Sequence, residues 1–355
     1  MIDPVETFVS VADLPADAAE LWDTSLFGSR LWWETVLAAA MPAGTTACFM
    51  LCRIRGRPAA LFPMRRPAGR SAFESLTTPY TCLYAPLLAG WLSAAEGQAV
   101  FRAFGAVCRG WALTRLDAMA AEWPFLPALT DGVGGAGLIP LRFDHFGNWT
   151  EHLGTDGWAG YLAARPGALR ETIRRRLRRA ERMADAAFTV FAGPAGLAAG
   201  IASFESVYDR SWKDPEPFPA FNAALMRATA AAGTLRLGVW SVGAQAVAAQ
   251  VWVVEHKRAT VLKLAHDEAF KAHSPGTVLT ALMLRRLLDD EGVREIDFGR
   301  GDDAYKRGWA RDRRQRIGIV FANPWRARGL AAIGRHALGR LRDYLAPPQA
   351  PRSTG

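Results

Sequence analysis

A chain of 355 residues is more than one hydrophobic core usually organises, so two domains are expected, and with half of its residues hydrophobic and 22% charged it cannot be a disordered chain. The net charge of +9 suggests a nucleic-acid partner until it is located: residues 165–182 hold eight Arg and two Glu, residues 326–345 hold five Arg and one Asp, and the remainder is close to neutral. Basicity confined to two helices argues against a general DNA-binding surface.

The opening MIDPVETFVS lacks a basic segment followed by an apolar one, so a cytoplasmic protein is expected. The longest uncharged run worth testing as a membrane span, Leu237 to Val254, contains Gln245 and Gln250 and alternates as strands do, which excludes a transmembrane helix. Cys48, Cys52, Cys82 and Cys108 pair with no histidine at metal spacing, so no metal is expected. Arginine outnumbers lysine 38 to 5, and the first lysine is Lys213; each lysine is therefore informative.

In chain order, the pattern predicts strands at Ala47–Ile54 and Pro58–Met64 joined by a turn at Gly56, an extended stretch at Ala72–Leu76 and a helix at Ser93–Trp111. A strand at Arg115–Ala120, a helix at Trp123–Gly132 and a strand at Leu138–Phe146 follow. The second half repeats this order. It has strands at Leu235–Val242, Gln245–Glu255 and Ala259–His266, a helix from Gly276 to Glu291, and strands at Val293–Phe298 and Gln315–Phe321. Gly56 and Gly243 stand 187 residues apart, which points to a duplicated unit of about 180 residues. The fold class expected is α+β, with two mixed, mostly antiparallel sheets flanked by helices. Domains of 1–160 and 161–345 and a disordered tail, 346–355, are the expected division. Near the join, Leu169, Ile173, Leu177 and Ala180 form one apolar stripe on an arginine-covered helix, which reads as lying at the domain junction.

Most of the chemistry collects between His266 and Trp309. Ser274, Pro275, Gly276 and Thr277 open a helix after a strand and loop, and free first-turn amides attract anions, pyrophosphate above all. The plainer alternative is an ordinary helix capped by Ser274. Farther on, Asp297 ends a strand, Gly299, Arg300 and Gly301 form a flexed loop, and Tyr305 and Lys306 follow. Asp297 can orient or deprotonate an acceptor, Tyr305 can donate a proton, and Lys306, read as an exposed loop residue, can neutralise a phosphate or an oxyanion. His266 and Asp267 form a lesser general-base pair. Trp32, Trp33, Trp212 and Trp309 can line a groove, although core packing accounts for most aromatics.

Two motifs are decoys. Gly132 to Gly137 spells the dinucleotide fingerprint but follows a helix and precedes a strand, the reverse of the required order. Asp297-Phe298-Gly299 spells a kinase triplet with none of its companion motifs.

Ser274-Pro275-Gly276-Thr277 opening a helix, then Asp297-Phe298-Gly299-Arg300-Gly301 and Tyr305-Lys306, resembles the BioF2-like acetyltransferase family of the GNAT superfamily, which is related to the Fem peptidyltransferases. The likeness is good over 166–325 and diffuse before that. It departs from simple GNAT enzymes between Ala269 and Thr277, where Gly276 is the lone glycine of what is elsewhere a Gly-rich phosphate loop. The resemblance implies tandem GNAT-like domains and direct transfer of an acyl group, with acyl-CoA (acetyl-CoA) as co-substrate, to an amine or hydroxyl of a small-molecule, sugar or cell-envelope precursor. It implies catalytic roles for Asp297, Tyr305 and Lys306, and cofactor contacts at Ser274, Pro275, Gly276, Thr277, Gly299, Arg300 and Gly301. Two alternatives remain: a Fem-like transferase drawing on aminoacyl-tRNA, which the arginine helix favours, and a non-catalytic binding protein.

Overall fold

The computed structural model describes residues 2–345, so the expected tail lies outside the described residues. The first half lays down β1 (Glu6–Phe8), α1 (Arg30–Ala39), β2 (Thr45–Ile54), β3 (Arg57–Pro67), β4 (Ala72–Ser75), β5 (Leu87–Leu88), α2 (Ala94–Cys108), β6 (Leu113–Ala120), α3 (Leu126–Gly135) and β7 (Ile139–His152). The second half adds α4 (Gly157–Ala163), α5 (Gly167–Glu181), β8 (Ala186–Phe191), α6 (Leu197–Asp209), α7 (Pro219–Ala231), β9 (Leu235–Val242), β10 (Gln245–Glu255) and β11 (Arg258–His266). It ends with α8 (Pro275–Asp289), β12 (Glu295–Arg300), α9 (Lys306–Trp309), β13 (Asp312–Ala322) and α10 (Ala327–Leu345).

All thirteen strands form one sheet, in the order β1-β2-β3-β4-β6-β13-β7-β12-β11-β10-β9-β8, with β5 beside β3. Read inward from either edge the order is equivalent, and the axis of this pseudosymmetry falls between β13 and β7. Two of the pairings are parallel, β4 with β6 and β11 with β12, each reached through a crossover containing one α-helix, α2 or α8. Each half closes its sheet with the other half's last strand: β6 pairs with β13, and β12 with β7. The β2–β3 turn fits its sequence, because Arg55 and Gly56 both adopt positive φ, +52° and +79°, as a two-residue hairpin requires.

Trp32, Trp33, Phe49, Phe62, Phe101 and Phe104 fill the first half's core. In the second half, α5 and α8 cover one face with Ile173, Leu177 and Leu284, and α6 and α7 cover the other with Phe204 and Met226. Helix α7 also braces the halves, since Phe221 meets Trp32 edge-on at 5.7 Å and stacks on Tyr80 at 4.2 Å. The arginine helix is α5, and its apolar stripe is buried as its spacing predicts. It packs on α8 and not at the junction expected for it, because that stripe is used up within the second half's own core. Close by, Glu151 on β7 is wholly buried: Arg165 donates to it, as do the Arg311 amide and Nε at 2.8 Å each. Arg165 Nη1 and the Tyr161 hydroxyl also donate to the Trp309 carbonyl, at 2.7 and 2.6 Å.

Candidate active site

A cleft opens where β11 and β12 part. They keep register for three residue pairs, ending at Thr260 opposite Asp297, and then diverge. Leu262 is skipped in the β10–β11 register, a bulge that bends β11 there. The equivalent opening in the first half is filled by that half's own loop, whose Tyr84 is buried and donates its amide to the Ala118 carbonyl on β6 at 2.9 Å. The same loop sends Tyr80 and Cys82 into the second half's cleft.

Gly299 shapes the divergence. Its φ of +64° is left-handed, and a Cβ there would lie 2.5 Å from the Val261 carbonyl oxygen. Gly299→Ala is therefore expected to cost about 2–4 kcal/mol, read as a lower urea midpoint at unchanged m, and a loss under 0.5 kcal/mol would contradict this close approach.

One part of the cleft, about 350 Å3, is lined by Trp212, His266, Lys271, Ser274, Pro275, Gly276, Thr277, Tyr305 and Trp309. Ser274 adopts φ +52°, and its side chain does not cap α8, which corrects the capped-helix alternative. With Pro275 in the first turn, the amides of Gly276 and Thr277 have no protein acceptor among the described residues. His266 Nδ1, also unpartnered, lies where a Cβ on Gly276 would be 3.4 Å away. Burial holds the His266 imidazole below its usual range. On the pseudosymmetric helix, α2, Ser93 and Glu96 form a complete capping box. The first half thus occupies its helix N-terminus with a carboxylate of its own, and the second half leaves its counterpart open.

Tyr305, Trp212 and Leu264 are shared with the second part, about 240 Å3, which is also lined by Tyr80, Cys82, Lys213, Lys263, Arg300, Asp303 and Lys306. Tyr305 is 43% exposed, and partial desolvation by the cleft, with a lesser contribution from Asp303, raises its phenol. Lys306 is 3% exposed, donates to the carbonyls of Arg300 at 2.7 Å and Gly301 at 3.2 Å, and pairs with Asp303 at 3.0 Å. It is a buried clamp on the loop, not the exposed residue expected, because α9 begins at Lys306 and turns its side chain back under the chain. Lys263 pairs with Glu216 at 2.5 Å, and Tyr80 donates to the same carboxyl at 2.8 Å. Burial pushes the Glu216 carboxyl upward, but donated hydrogen bonds, led by that of Lys263, hold it below its ordinary range.

The structure brings Ser274, Pro275, Gly276, Thr277, Arg300, Tyr305 and Lys306 onto one cleft. Asp297, Gly299 and Gly301 stand behind its wall. Asp297 is 8% exposed, and its Oδ1 accepts from Asn148 Nδ2 at 2.6 Å and from the Gly299 amide at 2.7 Å, so it holds the loop. Asp267, bound by Arg210 and Gln245, is likewise withdrawn from the chemistry. Trp212 and Trp309 line the cleft, whereas Trp32 and Trp33 are core. Lys213, Lys263 and Tyr80 went unread as site residues, although the scarcity of lysine already marked the first two.

Residues 167–307 match the acetyltransferase (GNAT) domain family. No curated protein matches this sequence. Among solved structures, the chain is similar to FemX at 9% identity and a TM-score of 0.60, with 90% of this chain and 98% of that one covered. A tandem GNAT protein from the clavulanic acid biosynthesis pathway is 13% identical at a TM-score of 0.51, again with 90% and 98% covered. L-PGS from Bacillus licheniformis is 12% identical at a TM-score of 0.53, with 86% and 95% covered.

Proposed function

We propose that this chain, whose residues 167–307 are a GNAT-type acetyltransferase domain and whose two halves take the tandem GNAT fold, transfers an acyl group from acyl-CoA to an amine or hydroxyl by direct attack. The observation that carries this reading is the uncapped first turn of α8 opening into the cleft along the parted β11 edge. Gly276 and Thr277 amides, with Lys271 beside them, would hold the donor's pyrophosphate, and the unpartnered His266 Nδ1 fits an anionic or hydroxyl neighbour there. Bound acyl-CoA supplies a thioester, a carbonyl already activated toward attack. The acceptor's nitrogen or oxygen attacks that carbonyl, a C–N or C–O bond forms as the C–S bond breaks, and the acceptor's proton ends on the thiol. Tyr305, common to both parts of the cleft, would give its proton to the departing thiolate and regain one from the acceptor. Catalysis rests on positioning, so no acyl group should become attached to the chain.

Gly276→Asp provides the test. A carboxylate at this position suits the helix dipole and has room, so thermal stability should be unchanged or raised, while affinity for acetyl-CoA should fall at least a hundredfold by titration calorimetry. Wild-type protein that evolves no heat with CoA or acetyl-CoA would overturn the donor assignment. A second reading, with aminoacyl-tRNA as donor, is favoured by the exposed Arg174, Arg175, Arg178 and Arg179 of α5. It requires tRNA binding that weakens steeply with salt and is lost when these four are neutralised.

A further inference from the structure

Lysine placement carries an inference about what enters the far part of the cleft. Of the five lysines in the chain, Lys213, Lys263 and Lys306 line one part of it and Lys271 lines the other. A chain that uses arginine for nearly every other cation has gathered its compact ammonium groups here.

The charges in the far part do not cancel. Lys263 is neutralised by Glu216 and Lys306 by Asp303. Lys213 and Arg300 line the same part of the cleft, and neither has a carboxylate within ion-pair distance among the described residues. The Lys213 ammonium has the Trp212 ring at 5.4 Å, and the Arg300 guanidinium lies over Phe146 at 4.2 Å, with the Thr81 carbonyl and His145 Nε2 as its polar contacts, each at 3.4 Å. Aromatic surfaces hold both cations in place and satisfy neither. Burial, and then the charge on Lys263, pulls the Lys213 ammonium below its usual range, against the opposing effect of Asp303 and Glu216, which lie beyond ion-pair distance of it.

We infer that Lys213 and Arg300 form a subsite for an anionic group, a carboxylate or phosphate, carried by the acceptor. Arg300 belongs to this subsite and not to the donor's phosphates, because it lies on the part of the cleft that excludes Ser274–Thr277. The assignment to the acceptor rests on the acyl-CoA reading above, which places the donor at the other end.

Succinate and inorganic phosphate, titrated at constant ionic strength into protein saturated with CoA and followed by tryptophan emission, serve as probes, with Trp212→Phe identifying the reporter. Wild type should show saturable binding, and Lys213→Met and Arg300→Met should each weaken it at least tenfold while CoA affinity by calorimetry stays within twofold. Absence of saturable binding, or binding indifferent to both substitutions, overturns the subsite. Loss of CoA affinity in Arg300→Met returns that residue to the donor. Succinyl-CoA and butyryl-CoA separate the two possible carriers of the anion. Equal affinities are expected, and a preference for succinyl-CoA that disappears in the two variants would move the anion from acceptor to acyl group. If CoA does not bind at all, the donor reading fails by itself, and the same titration without CoA still decides the subsite.

Discussion

Lys306→Ala is expected to lower kcat/KM for acyl transfer by about a hundredfold and stability by about 2–3 kcal/mol together. The ammonium is buried and donates to two consecutive carbonyls, Arg300 and Gly301, so its removal strands both and frees the loop that carries Arg300 along the cleft. Lys306→Arg should restore neither quantity. A planar fork does not fit a site closed around a single point charge, although it keeps that charge. Denaturant melts and steady-state kinetics on the same preparations separate the outcomes: unchanged stability with lost turnover would return Lys306 to direct contact with the reacting atoms, and full rescue by arginine would show that charge alone matters.

The second large effect lies away from the reacting groups. Arg165→Met should destabilise the chain by about 3–5 kcal/mol, since it leaves Glu151 buried with Arg311 as its remaining cationic partner and takes a donor from the Trp309 carbonyl. The double variant Arg165→Met/Glu151→Leu should recover much of the loss, because it removes the stranded charge along with its partner. Urea denaturation measures both. A double variant no better than the single one would mean that the Trp309 carbonyl, and not the carboxylate, sets the penalty.

What could be read from residues alone follows the range of the forces involved. Local signals worked well: Gly56 marked a hairpin, Ser93 a helix start, and Pro275 and Gly276 the open first turn of α8. The α5 stripe announced its buried face but not its partner, because many apolar surfaces can receive one stripe. Lys306 was misjudged as exposed since nothing in a Gly-rich loop reveals that the chain folds back over it. Asp297 illustrates the same limit. Its position at a strand end was legible, but Asn148, 149 residues away, decides what it does. The exchange of β7 and β13 left no local trace at all, as β13 ends in an apolar, buried run that any interior strand could carry and its neighbours are chosen by topology.

That exchange makes the order of synthesis matter. When the first 150 residues have left the ribosome, the edge of β6 from Leu113 to Ala120 still lacks its antiparallel neighbour, which arrives only with residues 312–322. The nascent first half must therefore wait with an unpaired edge across the translation of more than 160 further residues, a strong invitation to chaperones or to a β13 from another copy. A chain cut near residue 160 would yield two pieces that are each incomplete yet mutually complementary. Co-expressed, they should find one another, and apart they should aggregate. Duplication here has produced two halves of one indivisible object, with the finished cleft appearing last, after the C-terminal strand has been threaded into the N-terminal half.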